Sequence, residues 1–462
     1  MSELSPHSTQ VKLKGSRTQQ ALAPKAIMAT KNSNVISTNG TAASHDALPS
    51  LLAAARPFLR GDLAAVHPEL PSLVSVLVSA GAGECYHKHG TFLDHLVDVY
   101  RILRLWGAPD AVSRCGLYHS SYSNSYVNLA IFEPDVSRAR VRAIIGDAAE
   151  RLVHLFCVVP RHALMHDDLH LRYTDAELRD HLAASEASLV NAARGEYARS
   201  DAWRVKLRSV VPEEGVVKPH IRTGEPVALS RRVLAVFVLM TVADFSDQYT
   251  DYQDKLFGNE DGRLEFAGDN WAALWPGTGK PGLWMCAMSR LTAIYRLIAI
   301  DERLRRMEEG TVDKEDNDDA GLELSIPPVF DWCRKVLDPD EQIAARELYW
   351  EAICSDVKGG DWTEIESMLR RSIEKNPFVG EPCLVLAQVL LNAGGRWDEA
   401  TAAAEEGLRL VLEWGSSWDK RMSWEGWVSW GRVMWDKAMD KEWPRSAWGI
   451  INLGLVKQLQ QN

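Results

Sequence analysis

From about residue 47 onward, apolar residues recur three and four apart and rarely alternate one by one, and that period is the strongest constraint on the fold. A side chain returns to one face of an α-helix roughly every 3.6 residues, whereas a half-buried strand needs a period of two. The clearest case runs from Thr91 to Trp106, where Phe92, Leu96, Val99, Leu103 and Trp106 share one face. Gly107 and Pro109 then stop the helix, since neither residue type continues one well. The same spacing predicts a helix over Asp110 to His119 and another over Ser137 to Val159, bent near Gly146, where glycine lowers helix propensity. The expected fold class is all-α.

A chain of 462 residues is too long for one ordinary core, and its 46% hydrophobic content is enough for two. The expected organisation is a disordered tail over 1–46, a helical domain over 47–308, an acidic linker over 309–325 and a helical repeat region over 326–462. The tail is rich in Ser, Thr and Asn and carries Lys12, Lys14, Arg17, Lys25 and Lys31 against the acid Glu3, which suits a solvated tail or a transit peptide. A cytoplasmic protein is expected, with the chloroplast as the alternative compartment. No apolar run approaches the ~18 residues of a membrane span, so no membrane partner is expected. The net charge of -11 is spread along the chain, which argues against a nucleic-acid partner, because phosphate binding needs a concentrated basic face. The 7 cysteines are scattered without CxxC spacing and read as reduced residues, neither a disulfide frame nor a zinc site.

The stretch Ser200 to Pro226, rich in Pro, Gly and charge, reads as a loop. Ser230 then caps a long apolar helix from Arg231 to about Leu256, whose second half carries Asp244, Asp247, Asp251 and Asp254 on one face. A solvated acidic face is the ordinary meaning of such a stripe. Another helix is expected from Trp284 to Met307, followed by the acidic run Asp313, Glu315, Asp316, Asp318 and Asp319.

Beyond it, Gly359-Gly360-Asp361-Trp362 aligns with Gly394-Gly395-Arg396-Trp397 at a period of about 35 residues. Helices are expected over Thr363 to Glu374 and Asp398 to Glu413, preceded by partners over Glu341 to Val357 and Glu381 to Leu391. The pattern resembles tetratricopeptide repeats, with Arg396-Trp397-Asp398-Glu399-Ala400 matching the turn and the start of a second helix. The resemblance implies stacked helical pairs that present a groove to a protein partner. The tryptophans from Trp414 to Trp448 read as a core that closes the end of the array.

Chemistry concentrates in His87-Lys88-His89-Gly90-Thr91-Phe92-Leu93-Asp94-His95 and in Gly116-Leu117-Tyr118-His119-Ser120-Ser121-Tyr122. Two helices joined by a short turn can bring His95 and His119 face to face, and imidazoles so placed are common ligands of first-row metals. The arrangement resembles the HD superfamily of metal-dependent phosphohydrolases, in which a helix histidine, a His-Asp dyad and a later aspartate converge on metal. His95 and His119 match the two histidines, Asp244 in Val242-Ala243-Asp244-Phe245 resembles the distal aspartate, and Ser120 replaces the dyad aspartate. A neutral hydroxyl supplies neither the charge nor the bridging carboxylate that a divalent metal favours. Glu150 is a second candidate for the lost carboxylate, and His166-Asp167 is a second candidate dyad.

A closer resemblance is to a little-characterised plant and bacterial domain. The matching residues are His95, Trp106-Gly107, Gly116-Leu117-Tyr118-His119-Ser120, Tyr122, Ile145-Gly146, Ala149-Glu150, Leu152 and Phe156. Serine after the histidine is ordinary in that pattern, and the resemblance implies no established activity. The expected function is an HD-like domain that binds a divalent metal (Mn, Fe or Zn) or a small phosphate-bearing ligand, with phosphohydrolase activity. The metal ligands are expected to be His95, His119 and Asp244, the catalytic residues Tyr122 and Asp244, and the ligand-binding residues His89, Arg138 and Arg142. The alternative is a catalytically inactive scaffold for a protein partner.

Overall fold

A computed structural model of the protein describes residues 47–456, except for 88–89, 126–129, 134–136, 260–263, 270, 272–276, 284, 310–318, 320, 333–335, 337 and 358–359. The expected tail, most of the expected acidic linker and His89 therefore lie outside the described residues.

Helices α1 (Ala47–Leu59), α2 (Leu63–Val66) and α3 (Leu70–Ser79) lead into a small hairpin, β1 (Tyr86–His87) with β2 (Gly90–Thr91). Helix α4 (Phe92–Leu105) begins there because Thr91 and Asp94 form a capping box: the Thr91 hydroxyl accepts from the Asp94 N–H, and the Asp94 carboxylate accepts from the Thr91 N–H. Its buried face holds Phe92, His95, Leu96, Val99 and Leu103. Helix α5 (Asp110–Tyr118) packs on it through Gly116, where a Cβ would collide with Leu103. The expected helix over Ser137 to Val159 is two helices, α6 (Arg138–Ile145) and α7 (Asp147–Val158), because Gly146 sits at φ 89° and ψ 162°, a conformation essentially reserved for glycine.

Helices α8 (Arg161–Met165) and α9 (Asp175–Ala192) follow. The expected loop over Ser200 to Pro226 is instead helix α10 (Ala202–Val210) and the hairpin of β3 (Val216–Pro219) with β4 (Pro226–Leu229). Trp203, Leu207 and Val210 are buried at helical spacing, an apolar stripe that the surrounding charge obscures. Helix α11 (Arg231–Gln248) is buried along its whole length, and α12 (Asp251–Phe257) and α13 (Met285–Glu309) complete this half. The single long helix expected over Arg231 to Leu256 thus breaks at Tyr249 and Thr250, where extended backbone and a Thr250–Gln253 capping box start a new helix. The four aspartates do not form a solvated face. Asp251 accepts from the Thr278 and Gly279 N–H groups, Asp254 accepts from the Leu283 N–H and pairs with Arg346, and Asp244 and Asp247 face inward.

Helices α14 (Pro328–Trp332), α15 (Pro339–Cys354), α16 (Thr363–Lys375), α17 (Glu381–Ala393), α18 (Trp397–Trp414), α19 (Trp424–Met439) and α20 (Ala447–Ile451) make up the rest. From α15 to α19 each packs on the next. The indole N–H groups of Trp424, Trp427 and Trp443 are buried on Val411 O, Asp419 O and Asn392 Oδ1, while Trp448 is exposed. The chain from Asp46 onward is one compact unit, so the two parts expected from sequence share a core. Trp106 Nε1 donates to Glu413 O (2.8 Å), Arg101 Nε to Gly415 O (3.1 Å), and Ser416 Oγ to Ser246 O (2.7 Å). Among the described residues no helix is long and apolar enough to cross a membrane.

The junction before α17 depends on bare backbone. A Cβ on Gly407 would lie 2.7 Å from Gly380 O and 2.8 Å from Leu384 Cγ. Gly407→Ala is therefore expected to destabilise the chain by ~1–3 kcal/mol, as overpacking typically does, measured by urea denaturation.

Candidate metal centre

The capping box sets the register of α4 so that His95 points into the core, and His119 caps the C-terminal end of α5. The last turns of α11 bring Asp244, Asp247 and Gln248 to the same place, because residues three and four apart share a helix face. His95 Nδ1 donates to Asp247 Oδ2 (2.7 Å), and His119 Nδ1 donates to Gly116 O (2.7 Å). A carbonyl can only accept, so His119 carries its proton on Nδ1 and presents the Nε2 lone pair. The ring of His95 is oriented the same way by Asp247.

The two Nε2 atoms face each other at 3.3 Å, and Asp244 Oδ1 lies 3.3 Å from His95 Nε2. Two imidazole lone pairs cannot meet at that distance unless a proton or a cation lies between them. Around a tetrahedral cation with ligand distances of about 2.1 Å, neighbouring ligand atoms sit about 3.4 Å apart, so the observed spacings suit such an ion. Ligand atoms of His95, His119 and Asp244 all lie within 4.8 Å of one another, and all three residues are buried. Gln248 Nε2 lies 3.2 Å from His95 Nε2 and donates to Asp244 Oδ1. Arg161, stacked over Phe156 at 3.7 Å, brings its guanidinium to 4.0 Å from Asp244 Oδ2.

The electrostatics divide the pair. Burial by itself would lower the pKa of His95, but hydrogen bonds and charge from Asp244 and Asp247 raise it to about 9. Burial lowers His119 to about 4. Burial opposes the charge on Asp244 as well, yet His95, His119 and Arg161 hold its carboxyl far below the usual range. In the metal-free protein His95 is thus the imidazolium and His119 the neutral base. A cation must displace the His95 proton, so its affinity is expected to rise with pH up to about 9 and to level off above it. One proton released predicts roughly a hundredfold tighter binding at pH 8.5 than at pH 6.5, readable by competition with a chromophoric chelator.

The other expected site residues gather elsewhere. The Tyr122 hydroxyl donates to Glu150 Oε1 (3.0 Å), Arg138 makes a two-pronged contact with Glu150 (2.7 and 2.9 Å), and Arg142 Nη2 adds another (3.3 Å). Glu150 is fully buried, so Arg138 and Arg142 neutralise an internal carboxylate to which Tyr122 donates, where ligand-binding and catalytic roles were expected. Glu150 itself is not in the His–His–Asp group. In the second candidate dyad, His166-Asp167, the His166 ring stacks on His162 at 4.4 Å between centroids, and neither residue belongs to the His–His–Asp group. Asp247 and Gln248 were not expected in the site, although Asp247 follows Asp244 by three residues.

The fold and the site together define an all-α protein with a buried His–His–Asp group of metal-binding dimensions. Residues 76–161 match a family profile described as a Domain of unknown function (DUF6817), which spans well under half of the chain. The matched segment includes His95, His119 and Glu150 and excludes Asp244 and Asp247. No curated protein and no solved structure matches the chain.

Proposed function

We propose that this is an HD-like helical protein that holds one divalent cation on His95, His119 and Asp244 and hydrolyses a small phosphate ester. The observation that carries the proposal is the approach of the two imidazole Nε2 atoms beside a buried carboxylate. Two imidazoles and a carboxylate suit Mn, Fe or Zn. Bound there, the cation would supply a Lewis acid for a phosphate oxygen and a water of lowered pKa.

The chain's own residues perform the rest. Asp247 and the Gly116 carbonyl lock the two rings with Nε2 inward, the arrangement in which a partner on the far nitrogen strengthens the ligand. Gln248 orients the Asp244 carboxylate, and Arg161 offsets its charge. Ser120 leaves the usual dyad carboxylate missing, which favours one cation over a bridged pair. Hydrolysis adds water across the P–O ester bond, with the water oxygen going to phosphorus and a proton to the departing alcohol.

The test is phosphate release from p-nitrophenyl phosphate, glucose 6-phosphate and AMP by the Mn-loaded chain. Asp244→Asn is expected to slow the best of these by at least roughly a hundredfold, since it removes a charged ligand of the reacting centre. Equal release by wild type and variant would overturn the hydrolase assignment, and absence of bound metal from the wild type would favour a scaffold.

A further inference from the structure

We infer that the cavity beside His95, walled on its far side by the Ser416–Glu425 segment, is a specificity pocket for a small polyhydroxylated group, a sugar or polyol. The inference rests on the metal-centre proposal, since His95, one of the three residues proposed to hold the cation, lines the cavity.

The cavity has a volume of about 390 Å³, and both His95 and Asp247 open onto it. That is near the small end of ligand pockets, which run from roughly 300 to 1,000 Å³. Its outer wall comes from a segment more than three hundred residues away in sequence, held in place by Arg101, which donates to Asp98 (2.6 Å), Glu425 (2.8 Å) and Gly415 O (3.1 Å) and stacks over Trp424. The site is therefore built jointly by α4, α11 and the segment before α19.

The lining decides the class of ligand. Four carboxylates border the space, Asp94, Asp98, Asp247 and Glu425, against two cations, Arg101 and Lys420. Both cations are already engaged: Arg101 as above, and Lys420 Nζ with Ser246 O (2.9 Å) and Ser416 Oγ (2.8 Å). The four carboxylates have partners too, Asp98 and Glu425 in Arg101, Asp247 in His95 and Asp94 in Thr91, but a carboxylate can accept from several donors at once, so acceptor oxygens are what the surface still offers a ligand. An anion placed there would meet like charge, whereas ligand hydroxyls would donate to those oxygens in strong charge-assisted hydrogen bonds. A purine or pyrimidine base needs apolar walls to stack on, and only Trp424 and Met422 supply large apolar side chains, with the Trp424 ring already covered by Arg101. A phosphate on such a ligand belongs at the cation, and its hydroxylated part in the cavity.

The decisive experiment is calorimetry on the full-length Mn-loaded chain with glucose 6-phosphate, AMP and inorganic phosphate, with metal content measured on the same samples. Glucose 6-phosphate is expected to bind at least roughly tenfold more tightly than either competitor, the worth of one good charge-assisted hydrogen bond. Asp98→Asn should erase that preference while one metal per chain stays bound. Glu425→Gln, at a more exposed position, should reduce it in the same direction and stands as the readout if Asp98→Asn fails to fold. Equal affinity for the three ligands with metal present, or a preference that survives both substitutions, would overturn the pocket assignment alone. A chain without metal would overturn the metal-centre proposal and this inference with it.

Discussion

His119→Ala is expected to weaken metal binding by at least roughly a hundredfold while leaving the chain folded. Second-layer residues around a metal site are typically worth 10–100-fold in affinity, so a direct ligand sets at least the upper end of that range. His119 is the cleaner of the two histidines to remove. Its other nitrogen contacts a backbone carbonyl, and burial already keeps the ring neutral, so no buried charge is stranded. His95 is different, because its imidazolium lies against both Asp244 and Asp247, and deletion would leave two buried carboxylates without their nearest cation. A graded series follows. Asp247→Asn, which only loosens the His95 ring, should weaken binding by roughly 10–100-fold, and Asp167→Asn in the second candidate dyad should have no effect. Metal content by mass spectrometry on untagged protein checks all three, and retention of metal by His119→Ala would sink the site.

The largest loss of stability is expected from Asp301→Ala. Asp301 is completely buried on α13 and receives Arg204 of α10 (2.6 Å) and Arg231 of α11 (2.7 Å). Breaking a buried ion pair from one side leaves uncompensated charge in a medium that solvates it poorly, at a cost of ~3–5 kcal/mol. Here two buried guanidinium groups would each lose a partner at once, Arg204 being left with Glu308 and Arg231 with Glu302 at 3.5 Å. The clamp also fixes the start of the helix whose far end carries Asp244, so metal affinity should fall together with the urea midpoint. Arg370→Ala, on the half-exposed pair with Glu366, should leave the midpoint within the scatter of the measurement.

The residues of the site differ in how visible they are before folding. His95 and His119 were legible because each lies in or at the end of a short helix whose stops, Gly107 and Pro109, force the next helix back toward the first. Asp244 was legible by position, but its stripe of aspartates pointed to solvent. The better signal was the unbroken apolar run from Val233 to Met240, since a helix apolar on every side is a buried one. Tyr122, Arg138 and Arg142 are expected from sequence to serve a ligand, and nothing local shows that all three meet Glu150 instead. Lys420 and Ser416 carry no local signature at all.

The sequence by itself determined the helices of the centre and the presence of two facing histidines. These depend on contacts three and four residues apart, which periodicity and capping record directly. Only the tertiary structure decided which carboxylate meets the histidines, which arginines are consumed inside, and that the C-terminal helices share one core with the centre. Those outcomes depend on which charged groups are buried together, and burial is a property of the whole packed chain that no window of sequence contains.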